Sequence, residues 1–191
     1  MTRPLETDKL VVMLVKVHLI ESRKTKGAIM TPKKSSFAKL QHVGVVVKDI
    51  KKAITFFESL GIGPFTAPGV ATGKPPVFSV PFKGELHGKP AQWTTTISFA
   101  RMGDVDLEIL EPTKGAQALK ESLDATGEGL HHIGFLTDDL DAEIANFKKK
   151  GVGIWTIARQ EGGGGFLYSD PTPLGGIAVE FRKIGQPPPK K

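Results

Sequence analysis

The sequence contains an internal repeat. Residues 40–65 (LQHVGVVVKDIKKAITFFESLGIGPF) align without a gap onto residues 130–155 (LHHIGFLTDDLDAEIANFKKKGVGIW) at a constant offset of 90. Eight of the 26 aligned positions are identical: Leu40/Leu130, His42/His132, Gly44/Gly134, Asp49/Asp139, Ile54/Ile144, Phe57/Phe147, Gly61/Gly151 and Gly63/Gly153. The matched positions are those that a strand followed by a helix requires, so we interpret the repeat as a duplicated supersecondary unit.

Each copy predicts the same order of elements. An apolar, β-rich run is followed by an aspartate, Asp49 or Asp139, that can cap the next helix. Apolar residues at helical spacing come next, and each helix is expected to end at a glycine, Gly61 or Gly151. Strand-like segments complete each half, so each half is predicted to be a βαβββ module.

The predicted fold class is α+β, with two tandem βαβββ modules that form a cup-shaped mixed sheet. The predicted boundaries are 1–37 for an N-terminal extension that is partly disordered, 38–114 for the first module, 115–183 for the second and 184–191 for a disordered tail. The segment GAQALKESLDATG predicts a short linking helix. Residues 66–92, rich in glycine and proline, predict a long connection that holds a further strand at 76–83, and the glycine run at 162–165 predicts a mobile hairpin turn that acts as a lid.

One histidine and one glutamate of each module are expected to face the hollow between the modules. Alternation along a strand places the equivalent residues His42 and His132 on corresponding faces. In the last strand of each half, Glu108 and Glu180 lie among apolar residues, where an unpaired carboxylate is costly to bury and a divalent cation would pair it. Such N/O ligands suit Zn, Mn, Co, Ni or Fe(II) better than Ca. The predicted metal ligands are His42, Glu108, His132 and Glu180.

The other three of the five histidines receive no ligand role. A single histidine in a strand is most often structural, and the metal hypothesis depends on the pattern being doubled by the repeat. Alternation predicts that His131 faces away from His132, and its counterpart in the first half is Gln41, so we interpret His131 as structural. His18 and His87 lie outside the repeat.

Charge and cysteine content narrow the function classes. The formal net charge of +6 divides into +5 in residues 1–37, +3 in residues 183–191 and −2 between them, so nucleic-acid binding is not expected. The apolar run at 10–20 is too short to span a bilayer; it is a peripheral strand, a targeting segment or a stretch upstream of a start at Met30. The absence of cysteine excludes disulfides, zinc–thiolate sites and thiol nucleophiles, and it fits a cytoplasmic protein.

On these residues the sequence resembles the vicinal oxygen chelate superfamily, which includes glyoxalases, bleomycin resistance proteins and dioxygenases. Its members pair βαβββ modules into a cup that holds a divalent metal. The segments LEILEP, GAQALKESL and GEGLHHIGFLTDDLDA are similar to those of methylmalonyl-CoA epimerases, in which the second histidine of the HH pair is a ligand. The resemblance implies a Co, Ni, Mn or Zn ion, a small-molecule substrate such as an acyl-CoA thioester, and a homodimer.

The implied reaction is removal of a proton next to a carbonyl, with Glu108 and Glu180 as the catalytic carboxylates. Epimerases usually carry a second base in a PEQGV-like stretch, whereas the corresponding region here, FTAPGVATGKPP, has no carboxylate and Glu85 is expected in a loop. The ligand set also resembles bacterial glyoxalase I, so a lactoylglutathione lyase stays an alternative. Two others are an extradiol-type Fe(II) dioxygenase, with His42, His132 and Glu180 as its triad, and a non-enzymatic protein that sequesters a ligand.

Overall fold

The computed structural model describes residues 36–67 and 76–185, and the following elements all belong to that part of the chain. The strands are β1 (Leu40–Val46), β2 (Phe78–Leu86), β3 (Lys89–Met102), β4 (Val105–Lys114), β5 (Gly129–Leu136), β6 (Ile154–Arg159), β7 (Gly165–Ser169) and β8 (Ala178–Lys183). The helices are α1 (Ile50–Ser59), α2 (Ala118–Thr126) and α3 (Leu140–Lys149). Short 3-10 turns occur at Ser36–Ala38, Glu161–Gly163 and Thr172–Leu174.

The strands form a closed barrel in the order β1-β4-β3-β2-β6-β7-β8-β5. The chain runs twice through a strand, a helix and three strands, as β1–α1–β2–β3–β4 and then as β5–α3–β6–β7–β8. β1 pairs with β4 in parallel and with β5 in antiparallel, and β5 pairs with β8 in parallel. The predicted α+β class with two βαβββ modules is confirmed, and the mixed sheet curves until it closes on itself.

The helices begin where the repeat predicts. The carboxylates of Asp49 and Asp139 accept hydrogen bonds from the main-chain N–H three residues later, at 3.1 and 3.0 Å, and so cap α1 and α3. Gly61 and Gly151 follow the two helices with φ of 84° and 69°, a conformation that glycine adopts without strain. The predicted capping and stop residues of both helices are therefore confirmed.

The apolar residues divide between the outside and the inside of the barrel. α1 packs its buried Ile50 and Ile54 against the outer side of the first half, and α3 packs Leu140 and Phe147 against that of the second half. The interior cluster consists of Val46, Phe82, Trp93, Ile97, Leu110, Leu119 and Ala158. Leu119 belongs to α2, so the predicted linking helix exists and packs against the interior of the barrel.

The strand predicted at 76–83 is confirmed as β2, whereas the connection predicted over 66–92 around it is wrong in extent. β2 begins at Phe78 and β3 at Lys89, so most of this segment is a hairpin, and Glu85 is a strand residue rather than a loop residue. Pro81 is tolerated in β2 because β6 pairs with β2 only from Lys83 to Leu86. Gly84 is needed there because a Cβ would lie 2.0 Å from a main-chain oxygen of β6.

Several predictions concern residues that the structure does not describe. The apolar run at 10–20, Met30, His18 and most of the tail lie outside the described residues. At the end of the predicted N-terminal extension, the ring of Phe37 packs against the rings of Phe135 and Phe181. The module boundary between 114 and 115 stays a prediction.

None of the helices in the described ranges is long and apolar enough to cross a membrane.

Candidate metal centre

Four side chains from neighbouring strands converge inside the barrel. β4, β1, β5 and β8 lie side by side and contribute Glu108, His42, His132 and Glu180 respectively. Among the described residues, this is the one group of three or more His, Asp or Glu side chains whose ligand atoms all lie within 4.8 Å of one another. All four are at most 5% exposed. The structure therefore brings together the four predicted ligands.

The potential ligand atoms are close together. The two Nε2 atoms of His42 and His132 are 2.9 Å apart. Oε2 of Glu180 lies 2.5 Å from Nε2 of His42 and 3.1 Å from Nε2 of His132. Oε2 of Glu108 lies 3.3 Å from each of these nitrogens. Two imidazoles and two carboxylates thus point at one small volume.

Two glycines provide the space for the imidazoles. Strand pairing places Gly44 opposite His132 and Gly134 opposite His42. A Cβ on Gly44 would lie 2.0 Å from Cε1 of His132, and a Cβ on Gly134 would lie 2.1 Å from Cε1 of His42. Real Cβ atoms do not approach other atoms so closely, so any larger residue would displace the ring. This explains why the repeat keeps glycine two positions after each histidine.

A pair of bulges places the residue before each histidine against that histidine. In the β1–β5 pairing, Gln41 is an extra residue in β1 and His131 is an extra residue in β5. The two residues are equivalents in the repeat. Nδ1 of His131 lies 3.0 Å from Nδ1 of His132, and its ring stacks on Trp155. The prediction that His131 faces away from His132 is wrong, because the bulge breaks the alternation of the strand.

His131 holds the neighbouring ring as an acceptor. Burial, and then the nearby His132, lower the pKa of His131 to about 3, so its ring is neutral. A neutral ring can accept the Nδ1–H of His132 at its own Nδ1, which leaves the Nε2 lone pair of His132 facing the cluster. The contact therefore orients His132 for binding an ion at Nε2.

On the other side, a polar chain holds His42. Nδ1–H of His42 donates to Oε1 of Gln41 at 2.6 Å, and Nε2 of Gln41 donates to Oδ2 of Asp106 at 3.1 Å. Oδ1 of Asp106 accepts from Arg101 at 2.9 Å. The amide oxygen can only accept, so it fixes the tautomer of His42 with its Nε2 lone pair toward the cluster. The sequence prediction missed these residues; Asp106, two positions before Glu108 on β4, was the available signal.

Burial and charge pairing act in opposite directions on the pKa values. Burial raises the pKa of Glu180, but His42 and His132 outweigh it and hold this pKa well below its usual range. Burial also raises the pKa of Glu108, and the same two histidines outweigh it and lower that pKa as well. Burial lowers the pKa of His132, but Glu180 and Glu108 outweigh it and raise the pKa to about 9. Without a metal ion, positive charge therefore resides on His132 between two carboxylates at neutral pH.

The donor set fits a divalent cation. Ligand atoms roughly 2.1 Å from one ion are about 3.0 Å apart in octahedral and about 3.4 Å apart in tetrahedral coordination. The observed nitrogen–nitrogen and nitrogen–oxygen separations run from 2.5 to 3.3 Å. Both Nδ1 atoms have partners, so both Nε2 atoms can bind an ion that displaces the proton of His132, as in metal sites whose histidines are held by a hydrogen bond at the other ring nitrogen.

A cavity opens beside the cluster, and its empty space of about 540 Å³ includes solvent at its mouth. Its lining includes the two carboxylates, Glu108 and Glu180, together with several aromatic and polar side chains: Phe82, Trp93, Thr95, Gln117, Thr156, Gln160, Phe166, Tyr168 and Arg182. Gly165 also lines it, so the predicted glycine-rich turn does lie beside the site; its role as a mobile lid stays a prediction. A substrate in this cavity would meet the carboxylates rather than the fully buried imidazoles.

The remaining residues considered from the sequence lie away from the cluster. Glu85 lies on β2 at its paired end with β6. His87 is exposed, and its Nε2 lies 2.9 Å from Oε2 of Glu121. Neither residue is among those that line the cavity beside Glu108 and Glu180.

Two curated proteins are similar to this chain in sequence. Over 146 residues the chain is 26% identical to the uncharacterized protein YqjC of Bacillus subtilis, covering 75% of this chain and 90% of that protein. It is 24% identical over 151 residues to the mitochondrial methylmalonyl-CoA epimerase of Bos taurus, covering 78% of this chain and 75% of the relative.

Solved structures share the fold. The methylmalonyl-CoA epimerase of Mycobacterium tuberculosis superposes with a TM-score of 0.53 at 19% identity, covering 80% of this chain and 92% of that one. A Streptomyces coelicolor methylmalonyl-CoA epimerase in complex with 2-nitronate-propionyl-CoA superposes with a TM-score of 0.52 at 22% identity, covering 78% of this chain and 98% of that one. Residues 41–168 match the family described as the glyoxalase/bleomycin resistance protein/dioxygenase superfamily, and the chain belongs to that superfamily.

Proposed function

We propose that this protein is a divalent-metal-dependent isomerase that removes a proton next to a carbonyl, with an acyl-CoA thioester of the methylmalonyl-CoA type as its substrate. The observation that carries the proposal is that Glu108 and Glu180 belong both to the donor cluster and to the cavity lining. The relatives from cattle and Mycobacterium tuberculosis are named as methylmalonyl-CoA epimerases, which supports the substrate class.

His42, Glu108, His132 and Glu180 would hold the ion. When bound, a divalent ion supplies a Lewis acid that polarises the carbonyl oxygen and makes the neighbouring C–H more acidic. The two imidazoles keep their Nε2 lone pairs on the cluster because Gln41 and His131 occupy their Nδ1 atoms. The interior position also excludes bulk water from the carboxylates, since both are at most 5% exposed.

The proton transfer is assigned to the two carboxylates. Epimerisation requires one group to take the proton from one face of the carbon and another to return a proton to the opposite face. Glu108 on β4 and Glu180 on β8 flank the two histidine strands from opposite sides, so the two carboxylates approach the cavity from different directions. We assign Glu180 as the first base and Glu108 as its counterpart.

Tyr168 is placed to assist. It lines the cavity and is paired across the strands with Glu180. Burial, and then the charges of Glu180 and Glu108, raise the pKa of Tyr168 well above its usual value. Its hydroxyl therefore stays protonated and can donate a hydrogen bond to oxygen that gains negative charge during the reaction.

The test combines metal analysis with solvent exchange. The purified protein is loaded with Co²⁺ and incubated with methylmalonyl-CoA in D₂O, and deuterium at the α-carbon is followed by NMR. We expect about one metal ion per chain and exchange that is lost on chelation. A stoichiometric metal site without any exchange would contradict the epimerase assignment and leave the metal centre standing.

A glyoxalase I-like lyase is the second candidate. Among the described residues that line the cavity, Glu108 and Glu180 are the only carboxylates, so a reaction that uses metal-bound glutamates as its bases is favoured equally by the geometry. Turnover of the hemithioacetal of methylglyoxal and glutathione by the metal-loaded protein, without exchange into methylmalonyl-CoA, would select this candidate.

The two remaining alternatives have their own signatures. Oxygen uptake with Fe(II) and a catechol would identify a dioxygenase. A protein that binds no metal and shows no thermal shift with Co²⁺, Ni²⁺, Mn²⁺ or Zn²⁺ would be a ligand-sequestering member of the superfamily. A homodimer and a cytoplasmic location stay predictions of the sequence.

A further inference from the structure

Arg182 brings a guanidinium group to the reaction cavity. It follows Glu180 by two positions on β8, so both side chains point to the same side of the strand. Both line the cavity beside the donor cluster, together with Glu108. A positive side chain thus stands beside the two carboxylates of the donor cluster.

The guanidinium of Arg182 is supported by its neighbours but donates no hydrogen bond to the described residues. Its NH1 lies 4.0 Å from Oε1 of Glu108, beyond hydrogen-bond range, and the side chain is 35% exposed. Its Cζ lies 5.7 Å from the centroid of the Phe99 ring, which supports the group by a cation–π contact. In residues 36–67 and 76–185 no hydrogen bond of this guanidinium is found at 3.5 Å or less. Among the described residues nothing occupies its N–H donors, so they can bind a ligand.

The two other arginines of the described ranges differ in this respect. Arg101 donates to Asp106 and to a main-chain oxygen. Arg159 is exposed and pairs with Asp141 on α3. Neither belongs to the lining of the cavity beside Glu108 and Glu180. Arg182 is thus distinguished by both its position and its unused donors.

The charge balance indicates what the cavity accepts. Two carboxylates and one divalent ion sum to zero, so Arg182 leaves a formal charge of about +1 at the site. Thr156, which also lines the cavity, has a buried hydroxyl that makes no hydrogen bond within the described part of the chain. A site with a spare positive charge and an unpaired hydroxyl suits a ligand with one negative, oxygen-rich group.

We propose that Arg182 is a specificity-determining residue that binds a free carboxylate of the substrate. Guanidinium and carboxylate form two parallel N–H···O bonds, which gives both affinity and orientation. The enzyme would then prefer carbonyl compounds that also carry a free carboxylate over the analogues that lack this carboxylate. This inference rests on the proposed function only in that the substrate enters this cavity.

The test measures binding of malonate, a small dicarboxylate, to the Co²⁺-loaded protein by calorimetry, with neutral malonamide as the second probe. The wild-type protein is expected to bind malonate in preference to malonamide. Arg182→Gln is expected to weaken malonate binding roughly 10- to 100-fold, and Arg182→Lys, which keeps the charge but not the paired donors, to fall in between. Arg159→Gln, the matched control outside the cavity, should stay within about twofold of wild type.

Co²⁺ affinity shows whether a variant has lost carboxylate recognition alone or has also disturbed the metal centre. Co²⁺ affinity should be the same in wild type and in all three variants. Unchanged malonate binding in Arg182→Gln, no malonate binding by the wild type, or an equal loss of Co²⁺ affinity would each overturn the inference. Malonate discrimination that depends on Arg182, found together with no deuterium exchange into methylmalonyl-CoA, would support the inference and overturn the epimerase assignment alone.

Discussion

Gly44 lies opposite His132 across the β1–β5 pair, and the imidazole occupies the space that a Cβ on Gly44 would need, with only 2.0 Å to Cε1. Gly134 and His42 form the same relationship in reverse. The repeated His-x-Gly pattern therefore has one cause in both halves: two rings cross a strand pair at close range so that their Nε2 atoms meet.

Gly44→Ala is expected to destabilise the protein and to weaken metal binding. The added methyl group must displace the His132 ring, and overpacking of this kind costs about 1–3 kcal/mol of unfolding free energy. Metal affinity should fall at least about tenfold because a ligand is moved. Urea unfolding and Co²⁺ titration measure the two effects.

Gly61→Ala provides the control for this prediction. Gly61 has a φ of 84° at the end of α1, and no atom lies within 4 Å of its potential Cβ. The alanine should cost about 1 kcal/mol through backbone strain alone while Co²⁺ affinity stays unchanged. Equal losses of Co²⁺ affinity in both variants would contradict the close-approach explanation for Gly44.

Glu180→Gln is expected to abolish catalysis without unfolding the protein. The amide keeps the shape of the side chain but cannot accept the proton, so exchange into methylmalonyl-CoA should fall by roughly 10²- to 10⁴-fold. Glu85→Gln, a change on β2 outside the cavity lining, should leave exchange at the wild-type rate. Full exchange in Glu180→Gln would show that Glu180 is not the base.

Because His131 and Gln41 are equivalent in the repeat, a glutamine should be able to replace His131. His131→Gln offers an amide oxygen to Nδ1–H of His132, as Gln41 does for His42, and should keep metal affinity within about tenfold of wild type. His131→Leu removes the acceptor and should weaken Co²⁺ binding roughly 10- to 100-fold. If both variants bound Co²⁺ equally well, the orienting role of His131 would be wrong.

The metal-free protein is expected to lose stability at alkaline pH. The pKa of His132 is about 9 in the fold against 6.5 for an ordinary histidine, so its proton stabilises the fold. This contribution is complete below pH 6.5 and is lost as pH rises through 9; it is on the order of 1–3 kcal/mol.

A bound divalent ion should remove this alkaline loss, because it replaces the proton between the two carboxylates. Thermal unfolding at about pH 6.5, 8 and 9.5, with and without Co²⁺, measures both states. A metal-free protein that is as stable at the highest pH as at the lowest would contradict the raised pKa of His132.

The sequence predicts those parts of the structure that depend on local pattern and on the repeat. The caps at Asp49 and Asp139 and the meeting of His42 with His132 follow from spacing that both halves share. The orientation of His131 does not follow from this spacing, because a bulge depends on how β1 and β5 align and not on either strand alone.

Long-range contacts were also beyond reach of the sequence. Arg182 lies on an apolar strand like many exposed arginines, and its access to the cavity follows only from the closure of β8 into the barrel. The predicted strand at 76–83 stops short of Leu86, where β2 ends, because the pairing of Lys83–Leu86 with β6 is a long-range contact as well. Partner strands that are distant in sequence decide such positions.

Binding of one divalent ion by His42, Glu108, His132 and Glu180 underlies every role assigned to the cavity. Crystals grown with Co²⁺ and measured on both sides of the cobalt absorption edge locate that ion. We expect one anomalous peak per chain, roughly 2.0–2.3 Å from both Nε2 atoms and from a carboxylate oxygen of each glutamate. A saturated crystal with no peak at this position, or with its peak at another group of residues, would contradict the metal assignment.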